Sequence, residues 1–188
     1  MTKAHLLYLQ NRVAYARDQE AYKELYIHFY DSVYKLAYII VQQDVLAEEI
    51  ISDIMTQLWL MEHKLAYVEH LKTYILRATR NKAITYLQKD KHIKQHISEE
   101  GVLDDVSSFD EPDARLLTGE LSSIIENTVR QMPGQCQLVF RLIKEEGLSY
   151  KEASNILSLS QNTLESHMRT ALKRLRLALD GYLLKKKS

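Results

Sequence analysis

Apolar side chains recur along most of the chain at intervals of three and four, the period of an amphipathic helix. From Glu20 to about Val41 the positions Ala21, Leu25, Phe29, Val33, Leu36 and Ile40 predict a long helix with one buried face. Tyr22, Tyr26, Tyr30, Tyr34 and Tyr38 follow a second stripe at intervals of four. Such a stripe serves more often as a half-buried rim beside a core than as a cofactor box or a nucleic-acid platform, so packing is expected. A leading helix, about His5 to Arg17, should dock through Leu6, Leu9 and Val13, and Asp18 suits the N-cap of the helix that follows. A third helix is expected from Asp44 to Glu62, with Val45, Leu46, Ile50, Ile54, Leu58 and Met61 inward and Glu48, Glu49, Asp53 and Gln57 on its other faces. A short connection, Leu65 to Val68, leads to a basic helix from about Glu69 to Lys91 that carries Leu71, Ile75, Ala78, Ala83, Ile84 and Leu87.

Between Ser98 and Leu117 the period is lost in Ser, Asp, Glu, Gly and Pro, as in Ser98-Glu99-Glu100-Gly101 and Ser107 to Pro112, which reads as a flexible acidic linker. Helical spacing resumes near Asp113 with Leu116, Leu121, Ile124, Ile125 and Val129, and stops at Met132-Pro133-Gly134, where Pro133 suits the first turn of the next helix. That helix holds Leu138, Val139, Leu142 and Ile143, and Gly147 can end it in the left-handed conformation. Ser149 and Glu152 have the spacing of a capping box, so another helix begins at Tyr150 with Ala153, Ile156 and Leu157 inward. After the turn Ser158-Leu159-Ser160 a basic helix starts near Gln161 with Leu164, Met168, Ala171, Leu172 and Leu175 inward. Two helices joined by a tight turn, the second basic, form a helix-turn-helix. Its reading face would carry Gln161, Asn162, Glu165, Ser166 and Arg169, with Arg169 and Lys173 in reach of phosphate and Glu165 paired with Arg169 one turn on. The fold class expected is all-α, with two small helical domains at 1–97 and 118–188 joined by the linker at 98–117.

Composition supports this and narrows the chemistry. Only 5 of 188 residues are Gly and 2 are Pro, so collagen-like and largely disordered classes are excluded. Cys136 is the only cysteine and cannot form an intramolecular disulfide. No charged-then-apolar leader begins the chain and no apolar run approaches the roughly 20 residues of a membrane span, so a cytoplasmic location is expected. The 25 basic and 25 acidic residues cancel only in sum. Residues 1–97 carry net +2, 98–131 net −7 and 132–188 net +5, the last with Arg169, Lys173, Arg174, Arg176 and Lys185 to Lys187. That C-terminal excess has the footprint of a phosphate-binding surface, although by charge alone a solvated helix face is the more frequent origin of such an excess. Enzyme readings are weak: there is no HExxH, phosphate-cradling Gly loop or nucleophile elbow. His92 and His96 are one turn apart but lack supporting carboxylates, Cys136 reads as a small buried side chain, and His167 lies beside a buried face. No metal, cofactor or small-molecule substrate is expected.

Three stretches of the second half, Gln135-Cys136-Gln137-Leu138-Val139-Phe140, Glu146 to Glu152, and Asn162 to Met168 continuing into Ala171-Leu172-Lys173-Arg174-Leu175-Arg176, resemble region four of the extracytoplasmic-function sigma factors. Independently, Ala47-Glu48-Glu49-Ile50-Ile51-Ser52-Asp53 with Leu58-Trp59 is similar to that family's region two, and Leu71 to Leu87, with Arg77, Ala78, Arg80 and Asn81, to its promoter-reading helix. The resemblance implies a non-catalytic subunit of the sigma-70 family that directs RNA polymerase to promoters and helps to open them. It implies that Glu48, Glu49, Asp53 and Gln57 face the beta-prime clamp helices of the core enzyme, with the beta flap as a further core contact. It implies that the minus-ten strand meets Leu65, Tyr67 and Asn81, with Arg77, Arg80 and Lys82 on its phosphates, while the helix-turn-helix binds the minus-thirty-five duplex. A membrane-anchored anti-sigma factor is an implied partner. The linker is expected to mimic nucleic acid, so that neutralising Asp104, Asp105, Asp110 and Glu111 alters abortive initiation. The alternative is a stand-alone helix-turn-helix regulator, which leaves the first half without a task.

Overall fold

The computed structural model describes residues 1–97 and 119–185, and every regular element among them is helical. The acidic linker, the expected helix start near Asp113 and the side chains of His92 and His96 lie outside the described residues. The chain forms two compact units, one built on the helices up to residue 89 and the other on the helices after residue 118, with residues 154–158 grouped with the first.

The first unit begins with α1 (Lys3–Ala16), whose first turn is capped by Thr2 through the His5 N–H. Asp18 caps α2 (Gln19–Val41) as the sequence predicts, its carboxylate accepting from the Glu20 and Ala21 N–H groups. These bonds hold the Asp18 carboxyl below its ordinary range, with the adjacent Arg12 guanidinium adding to the effect. Helix α3 (Asp44–Leu60) follows, then a 3₁₀ helix (Glu62–Tyr67) and α4 (Leu71–Ile97). Leu9 and Val13 of α1, Leu25, Phe29 and Val33 of α2, Ile50, Ile54 and Leu58 of α3, and Leu71, Ile75 and Ala83 of α4 close one core. Burying each large aliphatic or aromatic side chain of this set contributes about 1.5–3 kcal/mol. Trp59 closes one edge of it, with the Tyr22 ring edge-on at 5.0 Å and the Arg17 guanidinium 4.0 Å from its ring centroid.

Two expectations for this unit change, and one holds. Val45 is exposed rather than inward, because the buried stripe of α3 runs through Ala47, Ile50, Ile51, Ile54, Met55 and Leu58, a half-turn away from it. The segment around Leu65 is helical rather than a plain connection. The tyrosine stripe is a half-buried rim, as expected; Tyr30, Tyr34 and Tyr38 stack one on the next and Tyr26 meets Tyr30 at a tilt, with ring centroids 5.9–6.2 Å apart.

The second unit contains α5 (Glu120–Arg130), α6 (Gly134–Phe140) and α8 (Gln161–Lys185), with α7 (Tyr150–Leu157) preceding the last. Pro133 lies just before α6 at its N-cap, one position earlier than expected. Helix α6 runs on into one π-helical turn, Arg141–Glu145, which nothing in the apolar spacing predicts. Arg141 is buried there, its guanidinium 2.7 Å from Glu126 and 2.8 Å from Glu145. Burial opposes its charge, and the two carboxylates more than offset that, so its pKa is raised. Gly147 then takes φ +68° and lets the Leu148 N–H reach back to the Leu142 carbonyl at 3.0 Å. Leu121 and Leu172, both expected inward, are substantially exposed.

Candidate nucleic-acid interface

The helix-turn-helix is fixed by its caps. The Ser149 N–H donates to the Glu152 carboxylate at 2.9 Å and the Glu152 N–H donates to the Ser149 hydroxyl at 3.2 Å, the reciprocal pair of a capping box. Helix α7 stops at Ser158, whose φ of +53° is left-handed. Two residues later the Ser160 hydroxyl accepts from the Thr163 N–H at 3.1 Å and starts α8. Along α8, Leu164, Met168, Ala171 and Leu175 are buried, and Gln161, Asn162, Glu165, Ser166, Arg169 and Lys173 are all exposed. The polar residues needed to read base edges thus occupy the open side of a helix whose other side is fixed in a core. Glu165 and Arg169 form no ion pair, contrary to expectation; an exposed i,i+4 pair gains only about 0.2–0.5 kcal/mol, too little to hold two long side chains together. His167 is half-buried with its Nδ1 3.7 Å from the Cys136 sulfur, and burial pushes the Cys136 thiol up, which suits a packed side chain rather than a nucleophile.

In the first unit two groups of expected site residues meet. Glu48, Glu49 and Gln57 stand exposed on α3 and Asp53 is half-exposed. Across from them on α4, the Lys82 ammonium lies 2.8 Å from Asp53, and the Tyr86 hydroxyl lies 2.6 Å from Glu49 and 3.0 Å from Asp53. Lys82, then Tyr86, hold the Asp53 carboxyl below its ordinary range, while the hydrogen bond to Glu49 raises the Tyr86 phenol. On the other side of α3 the Tyr30 hydroxyl donates to Glu48, and its pKa is pushed up to about 12, chiefly by that bond. A groove of about 470 Å³ is lined by Gln57, Tyr74, Arg77, Asn81 and Lys82 among others, so residues expected to face polymerase and residues expected to face DNA border the same space.

The turn before α4 corrects one expectation. Leu65 is only 1% exposed and packs in the core, so it offers no surface to a nucleotide; Tyr67, 75% exposed at the end of the same 3₁₀ helix, does. Sequence reasoning missed the residue that sets this turn. Gln10 of α1 is buried, and its amide donates to the carbonyls of Leu65 at 2.7 Å and Val68 at 2.8 Å. A glutamine amid the apolar positions of an amphipathic helix was the only available signal. Arg77 and Asn81 are exposed on α4, and Arg80 is half-buried beside Asn81, at 3.5 Å.

Residues 25–93 match the sequence model of Sigma-70 region 2, and residues 122–175 match that of Sigma-70, region 4. The chain belongs to the sigma-70 family, as an extracytoplasmic-function sigma factor. It directs RNA polymerase to promoters, and the subunit itself is not catalytic. No curated protein matches the sigma factor in sequence. Its fold is similar to that of the sigma factor RpoE, solved in complex with the anti-sigma factor NepR from Bartonella quintana, at TM-score 0.62 and 18% identity over 84% of this chain and 96% of that one. It is also similar to CnrH, solved in complex with the cytosolic domain of CnrY, at TM-score 0.57 and 15% identity over 94% of this chain and 98% of that one. Among the described residues no helix is long and apolar enough to cross a membrane, and no cluster of His, Cys, Asp or Glu could hold a metal ion.

Proposed function

We propose that the sigma factor divides promoter recognition between its two halves. The exposed surface of α3, with Glu48 toward α2 and Glu49, Asp53 and Gln57 toward α4, docks on the beta-prime clamp helices of core polymerase. The adjoining surface of Tyr67, Arg77, Arg80, Asn81 and Lys82 takes the melted minus-ten strand, with Tyr67 offering a ring for base stacking and the cations neutralising phosphates. Gln161, Asn162, Glu165, Ser166, Arg169 and Lys173 at the open side of α8 enter the major groove of the minus-thirty-five element, while the second half also meets the beta flap. Before induction an anti-sigma factor, membrane-anchored, holds the protein inactive; RpoE, of similar fold, was solved in complex with the anti-sigma factor NepR. The observation that carries the reading is the polar open face of α8 above a fully apolar buried face, in a chain that also matches region two.

The test is run-off transcription with purified core polymerase, with and without the protein, on fragmented genomic DNA of its host. Discrete new starts that share two upstream elements are expected, and Arg169→Ala should weaken them through the upstream element alone. Sequence-specific duplex binding by the isolated protein with no new starts would replace this reading with that of a stand-alone regulator.

A further inference from the structure

Glu48 and Glu49 of α3 are exposed and Asp53 is half-exposed, yet each is held by a side chain outside the docking set. The Tyr30 hydroxyl of α2 donates to Glu48, and the Tyr86 hydroxyl of α4 reaches both Glu49 and Asp53. Both phenols are themselves restrained: Tyr30 is stacked on Tyr34 and touches the tilted ring of Tyr26, and the Lys82 ammonium lies 5.7 Å from the centroid of the Tyr86 ring while also bonding Asp53. A free surface glutamate samples several rotamers, and a partner must freeze them on binding; a carboxylate already fixed by a restrained phenol loses less freedom. A phenol hydroxyl occupies one lone pair of a carboxylate and leaves the remaining acceptor sites for an incoming Lys or Arg.

We propose that Tyr30 and Tyr86 are positioning residues for core polymerase, fixing Glu48, Glu49 and Asp53 in the arrangement that basic side chains of the partner meet. The inference rests on the assignment of α3 as the docking face. It separates two roles within the tyrosine set: Tyr22 packs its ring on Trp59, whereas Tyr30 and Tyr86 act through their hydroxyls.

The double variant Tyr30→Phe/Tyr86→Phe keeps both rings and all charges and removes only the two hydroxyls. Titration of labelled full-length protein with purified core enzyme should give a Kd raised about tenfold, the scale expected when two side chains, Glu48 and Glu49, must be immobilised anew on binding while Lys82 still holds Asp53. The thermal midpoint should stay at the wild-type value, and the slope of log Kd against log salt should be unchanged, because no charge is lost. The companion variant Glu48→Gln/Glu49→Gln/Asp53→Asn should weaken binding and flatten that slope. If the companion binds core as wild type does, α3 is not the docking face and both readings fall. If the companion weakens binding while the tyrosine variant binds as wild type or more tightly, docking stands and the positioning role is overturned. A tyrosine variant whose loss of affinity tracks a lowered thermal midpoint overturns it as well, since the hydroxyls would then be structural.

Discussion

Replacing Gln10 by Met should loosen the turn that presents Tyr67 without emptying the core. The two side chains are of similar length, so little volume is lost, and what disappears is a pair of amide donors. The Leu65 carbonyl keeps one partner, the Val68 N–H at 3.1 Å, and loses its second bond inside the core. The Val68 carbonyl belongs to a half-buried residue that water can partly reach. Taking a net contribution of about 1 kcal/mol for each bond, the variant should be destabilised by about 2 kcal/mol, a large share of the roughly 5–15 kcal/mol of a small domain. Trp59 is the only tryptophan and lies in the same unit, so its fluorescence in a urea titration of the full chain reports this unit alone. With a slope near 2 kcal/mol per molar, the midpoint should fall by about 1 M. Gln10→Glu should make the stability of this unit depend on pH. A buried carboxylate facing two carbonyls has a raised folded pKa, so the variant is penalised most at neutral pH and recovers stability as pH falls and the protonated acid regains one donor. A Gln10→Met midpoint within about 0.2 M of wild type would refute the reasoning, because the two bonds would then contribute almost nothing.

Arg141→Met leaves Glu126 and Glu145 without their shared cation; both carboxylates are partly exposed, so the expected loss is about 2–3 kcal/mol, below the ~3–5 kcal/mol of a fully buried pair. It should appear in the far-ultraviolet dichroism transition while the Trp59 transition stays in place. In gel-shift titrations on promoter DNA in the assembled holoenzyme, Lys173→Ala should lower affinity for all upstream elements alike and reduce the salt slope by about 1, whereas Gln161→Ala should change which upstream sequence is preferred. The Asp53 carboxyl is held low by Lys82, so the pair's contribution is present above about pH 4 and is lost as pH falls through the lowered folded value; Lys82→Met should leave less stability to lose over that acid range in pH-dependent urea titrations. Burial raises the Cys136 thiol, and a disulfide reagent at pH 8 should react with it much more slowly in the native protein than in urea; equal rates would place the thiol at the surface.

The helices, their caps and the open side of α8 were legible in the sequence because each depends on residues close together in the chain. Asp18 meets N–H groups two and three residues on, Ser149 and Glu152 meet across one turn, and the four buried positions of α8 repeat at helical spacing. What could not be read depends on which distant residue lies opposite. Leu65 sits beside exposed Tyr67 in a segment too short to show a period, and the amide that holds its carbonyl is that of Gln10, 55 residues away. The π turn at Arg141 arises where α6 brings a buried guanidinium between carboxylates 15 residues before it and 4 after it, a constraint invisible to hydrophobic spacing.

The docking face shows the same limit from the other side. Sequence similarity points to Glu48, Glu49 and Asp53 by type, and a helical wheel puts them outside the core, but neither distinguishes a carboxylate free in solvent from one already held. That distinction comes from α2 and α4, through Tyr30, Lys82 and Tyr86, residues 18 to 37 positions distant from their partners. Lys82 belongs to the surface assigned to the minus-ten strand and is bonded to Asp53 on the surface assigned to polymerase. Any partner that draws Asp53 away therefore releases a cation beside the groove, and any phosphate that draws Lys82 away releases a carboxylate beside the docking face. By linkage the two effects must be equal in free energy, whichever ligand arrives first.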